Sequence, residues 1–447
     1  MPQWRSPPGL KSLDWTIMLV TALEQLSNAG SQPSSSHPKE QRAGLCPATA
    51  DAGQPVLTPP ASPTSLMIGA IPLVDGGSRM AINYRRHVGA RAIVQLGPDK
   101  LEEREIGLPS IGDGEVLLRI EATGVCGSDQ DQLNGNLARA GWASYPVVPG
   151  HEPVGRVVEI GAEARRLLRL SEGQLVAVES VVPCHVCRYC VRGLVKFCEN
   201  RFSYGFTPMT VGCGLWGGFA EYMVLRPNTV AHVVPDGVPA ELATLFNPLG
   251  AGFDWTIRRA ETAPGDVVLV FGSGQRGLAC VLAAKSAGAS QILVTGLEKD
   301  RHKLDIASKL GATATINVDE VGNVADAIRI AVGGELIDRV IDTTPHATAP
   351  IADAIELIRP GGVIVVAGLK GEANLDVVKA DRIVLKAIDV RGVVSVASWG
   401  YAQAMKLMAA DRAPLELLHT HTVPLGELRQ GIDLLKSSQA IHVSIVP

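Results

Sequence analysis

The sequence has no excess of charge of one sign: 41 Lys and Arg face 45 Asp and Glu, for a formal charge of −4. Without a basic stripe, binding to nucleic acid is not expected. It also lacks any uninterrupted apolar run of roughly eighteen residues, so no membrane span is expected. Eight cysteines in 447 residues are too sparse for a disulfide scaffold. No internal repeat is visible. What is present is ordinary globular composition, 46% hydrophobic and 19% charged, with room for roughly three domains at about 150 residues each.

Residues 1–80 differ from the rest. Proline crowds there, and the stretches Ser31–Ser36 and Pro59–Pro63 have neither a helical nor a strand period. Trp15–Leu26 has the length of a short helix but makes a poor signal peptide, being short and without a clean cleavage site. Asp14 and Glu24 interrupt the basic bias of a transit peptide. The expectation is a disordered or dispensable tail, a functional start at Met80 and a cytoplasmic protein.

From about Arg91 the pattern becomes regular. Ala92–Leu96 and Glu115–Ile120 read as strands, and strand-like segments continue to about Pro235. Then strands alternate with helices: Val267–Phe271, Gln291–Thr295, Arg339–Asp342 and Val363–Ala367 with Leu278–Ala287, Arg301–Leu310 and Ile351–Ile358. Alternation of this kind predicts an α/β fold with a parallel sheet covered by helices. Helices at Tyr401–Ala409 and Leu425–Ser437 and a strand at Ile441–Val446 complete the pattern.

Val267–Phe271 runs into Gly272-Ser273-Gly274-Gln275-Arg276-Gly277 and then a helix. A G-x-G-x-x-G match means little alone, but strand before and helix after is the context a dinucleotide loop requires. The glycines allow a tight turn and close approach to a pyrophosphate, and the helix N-terminus supplies unpaired N–H groups. Gln275 and Arg276 are counted with the cofactor-binding residues. The acidic residue that holds the ribose of NAD normally ends the second strand. Here Gly296 follows that strand, Glu298 is the nearest carboxylate, and Lys299, Arg301 and His302 offer charge to a 2′-phosphate. NAD and NADP both stay open.

Cys184, Cys187, Cys190 and Cys198 crowd into fifteen residues. Four thiolates at this spacing give a closed tetrahedral zinc site, which is structural because no position is left for substrate. It also points to a reducing compartment. A bacterial iron–sulfur run would have a shorter last spacing and a following proline, whereas Glu199 follows here. Upstream, Cys126 in Gly124-Val125-Cys126-Gly127-Ser128-Asp129 and His151-Glu152 after Pro149-Gly150 offer thiolate, imidazole and carboxylate to a second, catalytic zinc. Such an ion polarises an alcohol oxygen and lowers its pKa, while Asp129 could orient His151.

With these motifs the chain resembles the zinc-dependent medium-chain alcohol dehydrogenase family, in its polyol and glucose dehydrogenase branch. The likeness runs from about Arg91 to Pro447 and also includes Gly217-Gly218-Phe219-Ala220-Glu221-Tyr222 and Arg359-Pro360-Gly361-Gly362. It implies a GroES-like β-rich catalytic domain (81–247 and 395–447) split around a Rossmann domain (248–394), in a homodimer or homotetramer. It also implies hydride transfer between an alcohol (secondary alcohol, polyol or sugar) and NAD or NADP, with an aldehyde or ketone as product. Cys126, His151 and Glu152 match the catalytic zinc site, Ser128 the hydroxyl that begins the proton relay, the four cysteines the structural zinc ligands, and Gly272, Gly274 and Gly277 the pyrophosphate loop.

Two positions depart from the family. Asn247, in Phe246-Asn247-Pro248-Leu249, stands where the third ligand is usually Cys or Glu, and an amide is the weaker ligand. Asp131 stands where many members carry the relay histidine; it either accepts the proton or has no role. Trp142, Trp216, Phe253 and Trp255 are candidate cleft aromatics or core. Two other readings share the fold: a quinone- or enone-type NADPH reductase without catalytic zinc, and a non-catalytic dinucleotide sensor.

Overall fold

The computed structural model describes residues 89–376 and 378–447; the tail and the Trp15–Leu26 helix reading lie outside them. Among the described residues two large sheets are found. The first has seven strands, with Val116–Gly124 pairing antiparallel to Pro153–Ile160, Tyr222–Leu225 and Val443–Val446. His421–Pro424 lies outside Val443–Val446, and Leu175–Val178 and Ala231–Val233 extend the other side. Two segments far apart in sequence, 116–233 and 421–446, therefore make one sheet. Gly89–Gly97 and Lys100–Gly107 form a separate hairpin.

The second sheet is six-stranded and parallel throughout, in the order Ala314–Asn317, Gln291–Gly296, Val267–Phe271, Ile337–Asp342, Ile358–Val366, Asp389–Gly392. All five residues of Val267–Phe271 are buried, as a strand covered on both faces requires. Its side chains alternate between two cores: Val268 and Val270 join one apolar cluster, Val267, Leu269 and Phe271 another. The strand order departs in opposite directions from Val267–Phe271. That topological switch opens a crevice at the carboxyl ends of the strands, where ligands bind in folds of this type. The cluster holding Val268 also takes in Ala122, Val154 and Ala177 of the first sheet, through Leu245, Phe246 and Leu249. Gly250 and Gly400 let helices Phe246–Phe253 and Ser398–Ala410 cross closely: a Cβ on Gly400 would lie 2.3 Å from the Gly250 carbonyl.

The boundaries shift in places. Arg359-Pro360-Gly361-Gly362 falls inside strand Ile358–Val366 rather than before it, and Gly361 takes φ 69°. The pairing is irregular there, since Pro360 has no N–H to give. The segment read as helix Leu425–Ser437 is one 3₁₀ turn, Leu425–Glu427, followed by an α-helix over Leu428–Lys436. Ala314–Asn317 and Asp389–Gly392, the sheet's two edges, were not legible; they are four residues each, and Asp389–Gly392 is largely exposed. Among the described residues no helix is long and apolar enough to cross a membrane.

Candidate catalytic metal and dinucleotide site

Strand Val116–Gly124 delivers the site's first residue. It ends where Val125 N–H donates to Val443 O at 2.9 Å, and Cys126 caps helix Gly127–Leu133. The cap is reciprocal: the Asp129 carboxylate accepts from Cys126 N–H at 2.8 Å. The other Asp129 oxygen lies 3.2 Å from His151 Nδ1. The two groups meet as an ion-pair contact rather than a hydrogen bond, and the opposite ring nitrogen, Nε2, faces Ser128. Gly150 precedes His151 with φ 94°, and a Cβ there would lie 2.6 Å from Phe219 N. Only glycine fits, which explains Gly150 beside the Gly217-Gly218-Phe219 turn.

The ligand atoms of Cys126, His151 and Glu152 all lie within 4.8 Å of one another, and all three residues are buried. Ser128 Oγ is 3.2 Å from both Cys126 Sγ and His151 Nε2. Both Glu152 carboxylate oxygens are buried without a hydrogen-bond partner. Burial pushes the Glu152 carboxyl well above its usual range, with the Cys126 charge adding to it. The Cys126 thiol is also pushed up by burial, but the Arg276 guanidinium and His151 outweigh this and bring it to about 6. Burial opposes the charged form of His151, yet Asp129 raises it well above the ordinary imidazole value. A dry pocket that gathers a thiolate, an imidazole nitrogen and an orphaned carboxylate has the donor chemistry of a zinc site.

Asn247 arrives on helix Phe246–Phe253, fully buried. Its Oδ1 accepts from Arg276 at 3.3 Å and its Nδ2 donates to the Tyr401 hydroxyl at 3.5 Å. The amide oxygen therefore shares one guanidinium nitrogen of Arg276 with Cys126 Sγ. Asp131 does not share this network; its carboxylate accepts from Asn136 Nδ2 at 2.9 Å.

The glycine loop has the geometry of a phosphate cradle. Gly272 takes φ 97°, Gly274 caps helix Gln275–Ser286, and a Cβ on Gly277 would lie 1.9 Å from the Gly272 carbonyl. Ser273 Oγ and Gln275 Oε1 are buried without partners, the state of a loop that awaits a polar ligand. Gln275 Nε2 crosses to Val125 O at 3.2 Å. Arg276, read as a cofactor residue, crosses as well, and its guanidinium donates to Cys126 Sγ at 3.2 Å. That reach spans 150 residues of sequence and had no local signal.

At the end of Gln291–Gly296, a Cβ on Gly296 would meet Ser273 Oγ at 2.7 Å. Arg301 is tied to Glu298 at 2.8 Å and also to Glu320, while Asn317 donates to Glu298. The Arg301 pair holds the Glu298 carboxyl below its usual range. Replacing Glu298 and Glu320 together by Gln would free that guanidinium for a 2′-phosphate. The ratio of kcat/KM for NADP over NAD should rise roughly tenfold, of the order of 1–2 kcal/mol for one charged contact; steady-state kinetics with both cofactors checks it.

The four lobe cysteines also converge, their sulfurs within 4.8 Å of one another. Backbone N–H groups of Val186 and Cys187 lower the Cys184 thiol to about 6, whereas burial lifts Cys190 to about 12. Among the cleft aromatics, Trp216 packs edge-on against Phe202 in the core and Phe253 is buried. Trp142 is half exposed beneath Arg201. Trp255 lies under the Arg276 guanidinium, 5.4 Å away. Phe206, which no motif flagged, stacks on His151 at 5.0 Å between ring centroids.

Comparison with known proteins fits this geometry. Residues 112–236 match the alcohol dehydrogenase GroES-like domain model, and residues 277–410 the zinc-binding dehydrogenase model. The chain is 40% identical to "Probable alcohol dehydrogenase adh" of Mycobacterium tuberculosis over 340 residues, 75% of this chain and 91% of the relative. It is 32% identical to the erythritol/L-threitol dehydrogenase of Mycolicibacterium smegmatis over 367 residues, 80% and 97% of the two chains. The alcohol dehydrogenase structure from Thermotoga maritima superposes with a TM-score of 0.72 at 27% identity, covering 81% of this chain and all of that one. The chain belongs to the zinc-dependent medium-chain alcohol dehydrogenase family. It is an NAD(P)-dependent oxidoreductase of CH–OH groups, GroES-like β-rich fold joined to a Rossmann parallel sheet.

Proposed function

We propose that the protein oxidises a small polyol or secondary alcohol at a catalytic zinc held by Cys126, His151, Glu152 and Asn247, with a second zinc in the Cys184–Cys198 lobe. The observation that carries this is the buried Glu152 carboxyl group, without a hydrogen-bond partner on either oxygen, beside Cys126 and His151. When bound, zinc supplies the Lewis acidity that eases loss of the alcohol proton.

The chain's own residues do the rest. Asp129 stands 3.2 Å from Nδ1 of His151, which leaves Nε2 to face the reacting centre. Ser128 Oγ stands beside both Cys126 and His151, placed to accept the alcohol proton and pass it outward. Asp131 takes no part, since its carboxylate is occupied by Asn136. Gly272, Gly274 and Gly277 seat the dinucleotide phosphates, and the helix start at Gln275 supplies the N–H groups. We place the catalytic domain at 81–247 and 395–447 and the dinucleotide domain at 248–394, and infer a homodimer or homotetramer.

A polyol is favoured by the relative named for erythritol/L-threitol, 32% identical to this chain. Four-, five- and six-carbon polyols should be oxidised faster than n-alkanols of matching length with NAD or NADP, and only by zinc-replete protein. Reduction of an enone by chelator-treated protein, with no polyol oxidation, would sink the proposal in favour of a zinc-independent reductase.

A further inference from the structure

Arg276 is the point where the two halves of the site meet. One guanidinium nitrogen lies 3.2 Å from Cys126 Sγ, 3.3 Å from Asn247 Oδ1 and 3.7 Å from Glu152 Oε1. These are three of the four atoms assigned above to the metal. The same residue is the second of helix Gln275–Ser286, directly after the glycine loop. A cation from the dinucleotide loop thus stands among the metal ligands.

Zinc sits about 2.3 Å from sulfur and about 2.0–2.2 Å from oxygen. A dication at those distances leaves no room for a guanidinium on the same three atoms, and the like charges repel. Arg276 must therefore move when metal enters. Its backbone stays in the first turn of the helix, where phosphate binds, and Ser273 Oγ and Gln275 Oε1 lie buried there without partners. Its side chain is 31% exposed, so the way out of the cluster is open.

We infer that Arg276 holds the ligand cluster together when metal is absent and is displaced by zinc toward the dinucleotide phosphates, so that metal and dinucleotide strengthen each other's binding. Until zinc enters, the guanidinium bridges Cys126 Sγ, Asn247 Oδ1 and Glu152 Oε1. Once released, it adds a cation to the phosphate cradle. By linkage the coupling is reciprocal. The inference rests on the metal and dinucleotide sites proposed above.

The test uses full-length protein in its zinc-replete form and after mild chelation that empties only the second site, with NADH and NADPH fluorescence as the binding readout. Filling the second site should tighten dinucleotide binding about tenfold in the wild type, within the usual range of coupling between sites. Arg276→Met should reduce that factor below about twofold and should hold the second zinc more tightly than wild type in chelator competition without dinucleotide. Arg276→Lys, which keeps the charge but loses the fork, should retain part of the coupling. The wild type alone gives a check independent of any variant's folding: NADH must make the second zinc harder to remove in chelator competition. Equal coupling in wild type and Arg276→Met, or none in the wild type, overturns the inference while leaving the metal site standing. Failure of the wild type to take up more than one zinc removes the metal site and this inference together.

Discussion

Replacing Cys126 by Ser should lower kcat/KM by at least about a thousandfold, the scale on which loss of a preorganised electrostatic contact acts, and reduce zinc from about two per chain to about one. The change is isosteric and lies at a helix N-cap, where serine is well tolerated. The fold should therefore survive and circular dichroism should match the wild type. The loss is specific because Cys126 carries the only thiol in the cluster with His151 and Glu152, and a hydroxyl is a poor replacement for a thiolate toward zinc. Elemental analysis beside steady-state kinetics decides the matter. Two zincs retained with turnover unchanged would show that Cys126 is not a ligand.

The second large effect is structural. Cys190 is the lobe cysteine lifted furthest by burial, and Cys190→Ser should cost the other zinc. The lobe has little core of its own: Val186, Val191 and Phe197 are 79%, 69% and 50% exposed. Metal loss is among the few single-site mechanisms that exceed about 4 kcal/mol. Cleavage by protease within Cys184–Cys198 should appear in the variant and not in the zinc-replete wild type. The damage should also travel inward, because Lys196 reaches buried Glu179 at 3.4 Å and Glu179 meets His232 at 3.0 Å. Unchanged zinc content and unchanged proteolysis would refute the structural role.

Much of this was legible from residues alone, for identifiable reasons. Val267–Phe271 reads as a buried strand because all five side chains are apolar, and the glycine loop declares itself through spacing and context. The four cysteines needed nothing but their spacing. Cys126, His151 and Glu152 were assigned to one site, and the fold brings them together although 24 residues lie between Cys126 and His151. What stayed hidden was long-range. Arg276 and Tyr401 reach Asn247 from 29 and 154 residues away, and no period or motif encodes such a meeting. Asp131, read either as a relay acceptor or as an acid without a role, has a local partner in Asn136. The edge strands escaped because four residues carry too little alternation to register.

The discontinuous seven-stranded sheet has a kinetic meaning. Its central strand Val116–Gly124 finds one neighbour, Pro153–Ile160, close by, but the other, Val443–Val446, more than 300 residues away. The parallel sheet between them is assembled from neighbouring strand–helix units at much shorter separations. Because loop closure must come before distant contacts can repay it, the dinucleotide half gains order first. The turn at Val125, pinned to Val443, sets last. A refolding chain would thus regain dinucleotide binding before turnover.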